Sequence, residues 1–310
     1  MKIWVTGGSG MLGSAIVRAL GERRQTGEVC APGSSEVDLR NADCVREFIS
    51  LERPDMVIHA AGRVGGIAAN IADPVRFLTE NMTMGMNVIQ GALESGVPQL
   101  LNIGSSCMYP RDHDCPLVED DVLTGPLEPT NEGYALAKIA CDRLCTYVAT
   151  TTGRAYKTII PSNLYGPGDH FDEQRGHLVA NAIRKVEQAL NMNATHVEVW
   201  GDGTARREFT YVEDVALWIA QAALTQIERL PARVNVGAGV DYTVREYYER
   251  VSQACGYSGA LDFDLDKPVG MKRKLMDSSL AARFGWTALT GLDEGLARTV
   301  SYFRAISRQS

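Results

Sequence analysis

The segment KIWVTGGSGMLGSAIVRAL, at the start of the chain, constrains the fold more than any other. Ile3 to Thr6 read as a short buried strand and the residues from Met11 onward as a helix, so the backbone must reverse between them. Gly7, Gly10 and Gly13 stand three apart at that reversal. Glycine there permits the sharp turn, lets a pyrophosphate approach the main chain, and lets the helix pack closely on the strand. The helix N-terminus adds unpaired amides and partial positive charge. A strand, glycine turn and helix in this order predict the first unit of a parallel sheet that binds a dinucleotide.

The chain beyond it repeats the alternation. Val29 to Ala31, Met56 to Ala60, Leu100 to Gly104 and Thr158 to Pro161 read as strands separated by helical stretches. Strands and helices in series imply right-handed crossovers and a sheet covered on both faces, hence a doubly wound α/β (Rossmann) fold. Its 310 residues suit about two domains. Residues 1–162 are expected to form the dinucleotide-binding domain, and 163–310 mainly a smaller α/β substrate-binding domain. The Gly- and Pro-rich PSNLYGPGDHF marks the break. A helix over Leu178 to Leu190, a strand over Val197 to Trp200, and the segments REFTYVEDV, RVNVG and TVREYYERV follow, with 208–237 expected to return to the first domain.

The balance of 31 basic and 38 acidic side chains gives a net charge of −7, which argues against adhesion to nucleic acid or anionic lipid. An anionic ligand must therefore find local positive charge. No run approaches the roughly 18 to 20 apolar residues of a membrane span. Cys30, Cys44, Cys107, Cys115, Cys141, Cys145 and Cys255 form neither a CxxC pair nor metal-ligand spacing, so no metal is expected. With no apolar leader ahead of Lys2, a cytoplasmic enzyme is expected.

After the second strand the chain reads CAPGSSE, without the acidic residue that usually holds an NAD ribose. Ser34 and Ser35 can donate to a 2′-phosphate, so NADP(H) is the expected cofactor, although no arginine sits in the turn. Asp38 and Leu39 are placed at the adenine pocket, with Asp38 equally suited to cap a helix. Tyr134 and Lys138, four apart in YALAK, share a helix face. The strand ending in GSSCMYP delivers Ser105, Ser106 and Cys107 to the carboxyl edge of the sheet, where ligands of such folds sit. A lysine about 4 Å from a phenol is worth roughly 4 kcal/mol at an effective dielectric of about 20, so Lys138 is expected to bring Tyr134 toward neutrality. Cys141 and Cys145 read as packing residues, and His59, His113 and His196 receive no role.

The glycine turn with Ser105, Tyr134 and Lys138 resembles the extended short-chain dehydrogenase/reductase superfamily along the whole chain. More narrowly, VGGIAANIADP, IGSSCMYP, LEPTNEGYALAKIA, PSNLYGPGD, VWGDGTARREF and NVGAGVDYT are similar to the GDP-L-fucose synthase family. That resemblance implies an NADPH-dependent 3,5-epimerase and 4-reductase acting on a GDP-keto-sugar. It assigns Cys107 and His177 as base and acid of epimerisation, and Tyr134 as the proton donor of reduction. It extends the cofactor site to Met11, Leu12, Ala60, Ala61, Pro161, Asn163, Leu164 and His177. Asn163, Lys185, Trp200, Arg207 and Lys274 are implied as substrate contacts, and a homodimer through the Tyr134 helix and its neighbour is implied as well. Where the family reads KPDGTPRK this chain has Val269, Met271 and Lys272; Gly133 replaces a proline and His170 an asparagine. These departures bear on the substrate loop and leave the acid, base and hydride machinery untouched; a colitose-type substrate, a 4-reductase without epimerase activity and, from a different class, a non-enzymatic NADP-sensing regulator are the alternatives.

Overall fold

A computed structural model describes residues 1–23, 27–113, 116–173, 176–267 and 270–308. Cys115 and Val269 lie outside the described residues. The first half runs β1 (Lys2–Thr6), α1 (Met11–Gly21), β2 (Glu28–Cys30), α2 (Ala42–Glu52), β3 (Met56–His59), α3 (Ile67–Ala72), α4 (Pro74–Glu94), β4 (Gln99–Ile103), α5 (Glu132–Thr152) and β5 (Ala155–Pro161). The chain continues with β6 (Asn163–Tyr165), α6 (Leu178–Asn191), β7 (His196–Trp200), β8 (Arg206–Arg207), β9 (Phe209–Tyr211), α7 (Val212–Thr225) and β10 (Arg233–Val236). It ends in β11 (Tyr242–Thr243), α8 (Val244–Cys255), β12 (Ala260–Asp264), β13 (Arg273–Lys274), α9 (Ser279–Ala282) and α10 (Leu292–Ser307).

Six strands in the order β10-β5-β4-β3-β1-β2 form one sheet, every neighbouring pair parallel. Burial on both faces explains why β3 is apolar without alternation. Ile3 and Val5 face α1 and α7, in a core with Ile16, Leu20, Val215 and Ile219. Trp4, one residue out of phase, faces the opposite layer with Val45, Val88, Tyr156, Cys141 and Cys145. The two helix cysteines therefore pack, as expected. After β1 the chain moves outward to β2, then crosses to β3 on the other side. The carboxyl ends of β1 and β3 therefore form the crevice that serves ligands in such sheets.

Residues 233–236 join the large sheet through β5, and α7 packs against α1. Between and after these, α6, α8 and α10 enclose a second core of Val179, Ile183, Tyr247, Val251 and Leu296. Two small sheets, β7 with β12 and β11-β8-β13, support its ligand-facing side.

Local chemistry sets the helix starts. Asp73 caps α4 by accepting from the Arg76 amide, and Pro74 takes the first position, where no donor is needed. The capping role considered for Asp38 is a correction: α2 begins at Ala42 and Asn41 caps it, accepting from the amides of Asp43 and Cys44. Gly133 has a packing reason, since a Cβ there would stand 2.9 Å from the Pro74 carbonyl oxygen. Among the described residues no helix is long and apolar enough to cross a membrane, and no group of His, Cys, Asp and Glu has metal-site geometry.

Candidate active site

A cavity of about 880 Å³ runs from the N-terminus of α1, across the carboxyl ends of β1, β3 and β4, to β13 and α6. Its first end is made by close backbone approach. Gly7 has φ +70°, and a Cβ on it would lie 2.7 Å from Ala61 Cα. A Cβ on Gly13 would lie 2.0 Å from the Gly7 carbonyl oxygen, so helix and turn touch where any side chain would part them. Gly10 caps α1 without any side-chain hydrogen bond, leaving the first-turn amides to a ligand. This cradle fits a pyrophosphate. Gly7, Gly10, Met11, Leu12, Gly13, Ala60, Ala61, Pro161, Asn163 and Leu164 all line the cavity.

Ser34, Asp38 and Leu39 also line it. Ser35 does not. Hydrogen bonds from the amides of Glu36 and Val37 to the Gly33 carbonyl close a turn whose exposed tip carries Ser35 away. The residue that composition of the turn did not reveal is Arg40, which lines the cavity two residues beyond Asp38 and pairs with it at 2.9 Å. The guanidinium holds Asp38 below its ordinary pKa. Arg40 thus brings a guanidinium, paired with Asp38, to this end of the cavity.

The reactive groups gather where β4 meets α5. Ser105, at the end of β4, accepts from the Cys107 amide at 3.2 Å and starts the short 3₁₀ turn Ser106–Met108 that presents the thiol. Tyr134 hydrogen-bonds with Ser105. Lys138, one helical turn on, is buried, donates to the Ile103 carbonyl at 2.9 Å, and stands 5.8 Å from the centroid of the Tyr134 ring. The expectation of a phenol near neutrality is overturned: burial pushes Tyr134 above its usual value, the field of Cys107 adds to that, and only Ser105 opposes it. Burial pulls the Lys138 ammonium down, because the desolvation that raises the phenol acts against the cation too.

His177 begins α6 and lines the same cavity. Burial lowers its pKa, with His170 and Lys274 adding to the effect. Lys274 on β13 is 7% exposed, and its Nζ lies 3.7 Å from Cys107 Sγ. Arg207 on β8 also lines the cavity; burial pulls its pKa down while Glu128 and Cys107 act the other way. Lys185 donates to the Glu198 carbonyl at 3.0 Å and sits 5.7 Å from the Trp200 ring centroid, with Lys267 at 5.6 Å from the same ring. The structure thus brings Ser105, Cys107, Tyr134, Lys138, His177, Asn163, Lys185, Trp200, Arg207 and Lys274 to one cavity. Asn131, Asp169, Tyr248 and Met271 line it as well and carried no sequence signal of their own.

The chain as a whole is similar to known proteins. The model of the NAD dependent epimerase/dehydratase family covers residues 3–237. GDP-L-colitose synthase of Yersinia pseudotuberculosis is 45% identical over 304 residues, 98% of this chain and 98% of that protein. GDP-L-fucose synthase of Azorhizobium caulinodans is 45% identical over 302 residues, 97% of this chain and 96% of its own. A crystal structure of a GDP-L-fucose synthetase from Naegleria fowleri bound to NADP superimposes with a TM-score of 0.88 at 26% identity, covering 100% of this chain and 95% of that one. A glycine cradle, a Tyr–Lys pair on one helix and full-length similarity of this extent agree, and the chain belongs to the NAD dependent epimerase/dehydratase family.

Proposed function

We propose that the protein is an NADPH-dependent epimerase-reductase converting GDP-4-keto-6-deoxy-D-mannose to GDP-L-fucose. The observation that carries this reading is the meeting of a thiol, a phenol and an imidazole in the cavity that begins at the glycine cradle. When bound, NADPH supplies the hydride for C4. Every other task falls to the chain.

Protons on C3 and C5 flank the C4 ketone, so removing either gives an enolate whose oxygen the Ser105 and Tyr134 hydroxyls stabilise. Cys107 takes the proton beside the Lys274 cation, and His177 delivers one to the opposite face, which inverts the centre. A lowered pKa makes the protonated imidazole a stronger acid, ready to give its proton up. In the reduction Tyr134 donates to the developing C4 alkoxide, a task for the neutral phenol that burial preserves. Lys138 holds the cofactor ribose. Arg207, Lys185 and Trp200 receive the guanosine diphosphate, meeting its charge locally in a protein of net −7.

A colitose-type substrate is the second reading. It is favoured by the equal 45% identity to the colitose and fucose synthases and by apolar Met271 in the cavity wall. Incubation with each GDP-keto-sugar and NADPH in deuterated water, followed by NMR, separates the cases. The fucose reading requires label at C3 and C5. A colitose substrate gives label at C5 with inversion there alone, and a simple 4-reductase gives none. The exposed Leu136 and Tyr147 on α5, beside α4, support a homodimer, which sedimentation tests. The six described cysteines are free thiols, which supports a cytoplasmic location.

A further inference from the structure

Asn131 precedes α5 as its N-cap residue, with φ −140° and ψ 22°. Asparagine is among the best helix caps, because its side-chain oxygen accepts from an amide of the first turn. Asn131 makes no such bond. Its Nδ2 instead donates to Cys107 Sγ at 3.2 Å, and its Oδ1 is buried without a partner. The residue lines the catalytic cavity, three positions before Tyr134. A capping bond forgone and a buried carbonyl left unpaired each cost stability, and such local losses concentrate at functional sites. With Nδ2 toward the sulfur the amide serves thiol and thiolate alike, whereas the opposite orientation pairs only with a protonated thiol, so the donor orientation is the one that suits a base.

We infer that Asn131 is a positioning residue for proton transfer, holding the Cys107 sulfur through an N–H donor. The inference rests on the epimerase reading above. Glu128 fixes the approach by accepting from the Thr130 amide at 3.3 Å and hydroxyl at 3.0 Å, which sets the 3₁₀ turn Pro129–Asn131. The other polar groups facing the sulfur are Lys274 from β13, Arg207 from β8 and Tyr134 from α5. Unlike Lys274 and Arg207, Asn131 holds the sulfur with an uncharged N–H, which adds no charge that would also draw the substrate diphosphate.

The test uses the full chain with Asn131→Thr and Asn131→Ser. Both replacements cap helices well, so α5 keeps or gains stability, but neither places an N–H on the sulfur. The readout is the rate of Cys107 alkylation by iodoacetamide against pH, followed on the Cys107 peptide by mass spectrometry. The expected result is a midpoint higher by about one pH unit in both variants, and deuterium exchange at C3 and C5 slowed about tenfold, with NADPH affinity within about twofold of the parent. An unchanged midpoint in both variants would overturn the inference and leave Asn131 a structural residue. If the parent protein itself exchanges no label with any GDP-keto-sugar, the epimerase reading falls, whereas the alkylation midpoint still decides the amide–sulfur bond.

Discussion

Replacing Lys274 by Met tests the electrostatics of the site most directly. The ammonium stands 3.7 Å from Cys107 Sγ on a side chain that is 7% exposed. Two unit charges at about that separation attract by roughly 4 kcal/mol at an effective dielectric of about 20. Part of this is offset by the cost of keeping an ammonium out of water, leaving the roughly 1.5–3 kcal/mol typical of a hydrogen bond to a charged group. Solvent deuterium exchange at C3 and C5 should therefore slow roughly 10- to 100-fold in Lys274→Met. Methionine conserves the volume and the apolar stem, so folding should survive. A second signature accompanies the first. Lys274 is one of the groups that lower the pKa of His177, the acid of the exchange, so its removal must let that pKa rise and move the alkaline limb of the exchange profile to higher pH. NMR-monitored exchange between pH 5 and 9 reads both effects. If Lys274 instead served only to bind diphosphate, KM would rise while kcat and the alkaline limb stayed in place. That outcome in a folded variant would refute the pairing of Lys274 with the thiol.

Tyr134→Phe should lower the reduction rate about 10²- to 10⁴-fold with NADPH affinity retained, as measured by cofactor oxidation and fluorescence titration. Gly13→Ala places a Cβ 2.0 Å from the Gly7 carbonyl oxygen, so the turn must move by about 1 Å. A loss of stability of about 1–3 kcal/mol by urea unfolding and at least about tenfold weaker NADPH binding are expected. His59, fully buried against Thr6, has its pKa lowered to about 3 by burial and the field of Lys138. Its unfolded form binds a proton below about pH 6.5, so the contribution of His59 to stability falls as pH drops from there toward about 3. The stability gap between the parent and His59→Gln should shrink by about 1.4 kcal/mol per pH unit in that window, and parallel pH profiles would refute the buried neutral imidazole.

The sheet was legible because its strands are short apolar runs buried on both faces, and the glycine turn because only close backbone approach explains three glycines at that spacing. Chain ends of elements were less so: Thr158 was the expected start of β5, but pairing of Ala155 and Tyr156 with β4 extends it by three residues. Tyr134 and Lys138 could be put on one helix face from sequence, yet the direction of the phenol shift could not. It depends on how deeply the fold buries both groups and on the carbonyl of Ile103, 35 positions from Lys138, that takes the ammonium. Lys274 and Cys107 are 167 positions apart, and nothing local marks either for the other. Asn131 and Arg40 were missed for a different reason. Each sits among residues with a ready local reading, a helix start and a solvated charge, and only tertiary placement shows where the side chain goes.

The two halves of the proposed reaction make opposite demands on side chains a few ångströms apart. Epimerisation needs a group that gains a proton from carbon; reduction needs one that keeps its proton until an alkoxide forms. The cavity separates these by where it places positive charge. Lys274 lies at the sulfur and Arg207 feels its field, whereas Lys138 is 5.8 Å from the centroid of the Tyr134 ring and spends a donor on Ile103. Burial raises the Tyr134 pKa, which favours the phenol as donor, and the proposed base is the group beside the cations. A cation moved from the thiol to the phenol would invert the assignment, which is why loss of Lys274 should impair exchange while leaving Tyr134 a competent donor. A keto-sugar already carrying the inverted centres should accordingly be reduced by Lys274→Met at close to the parent rate. Equal loss of exchange and reduction in that variant would show that the two proton transfers are not divided between thiol and phenol.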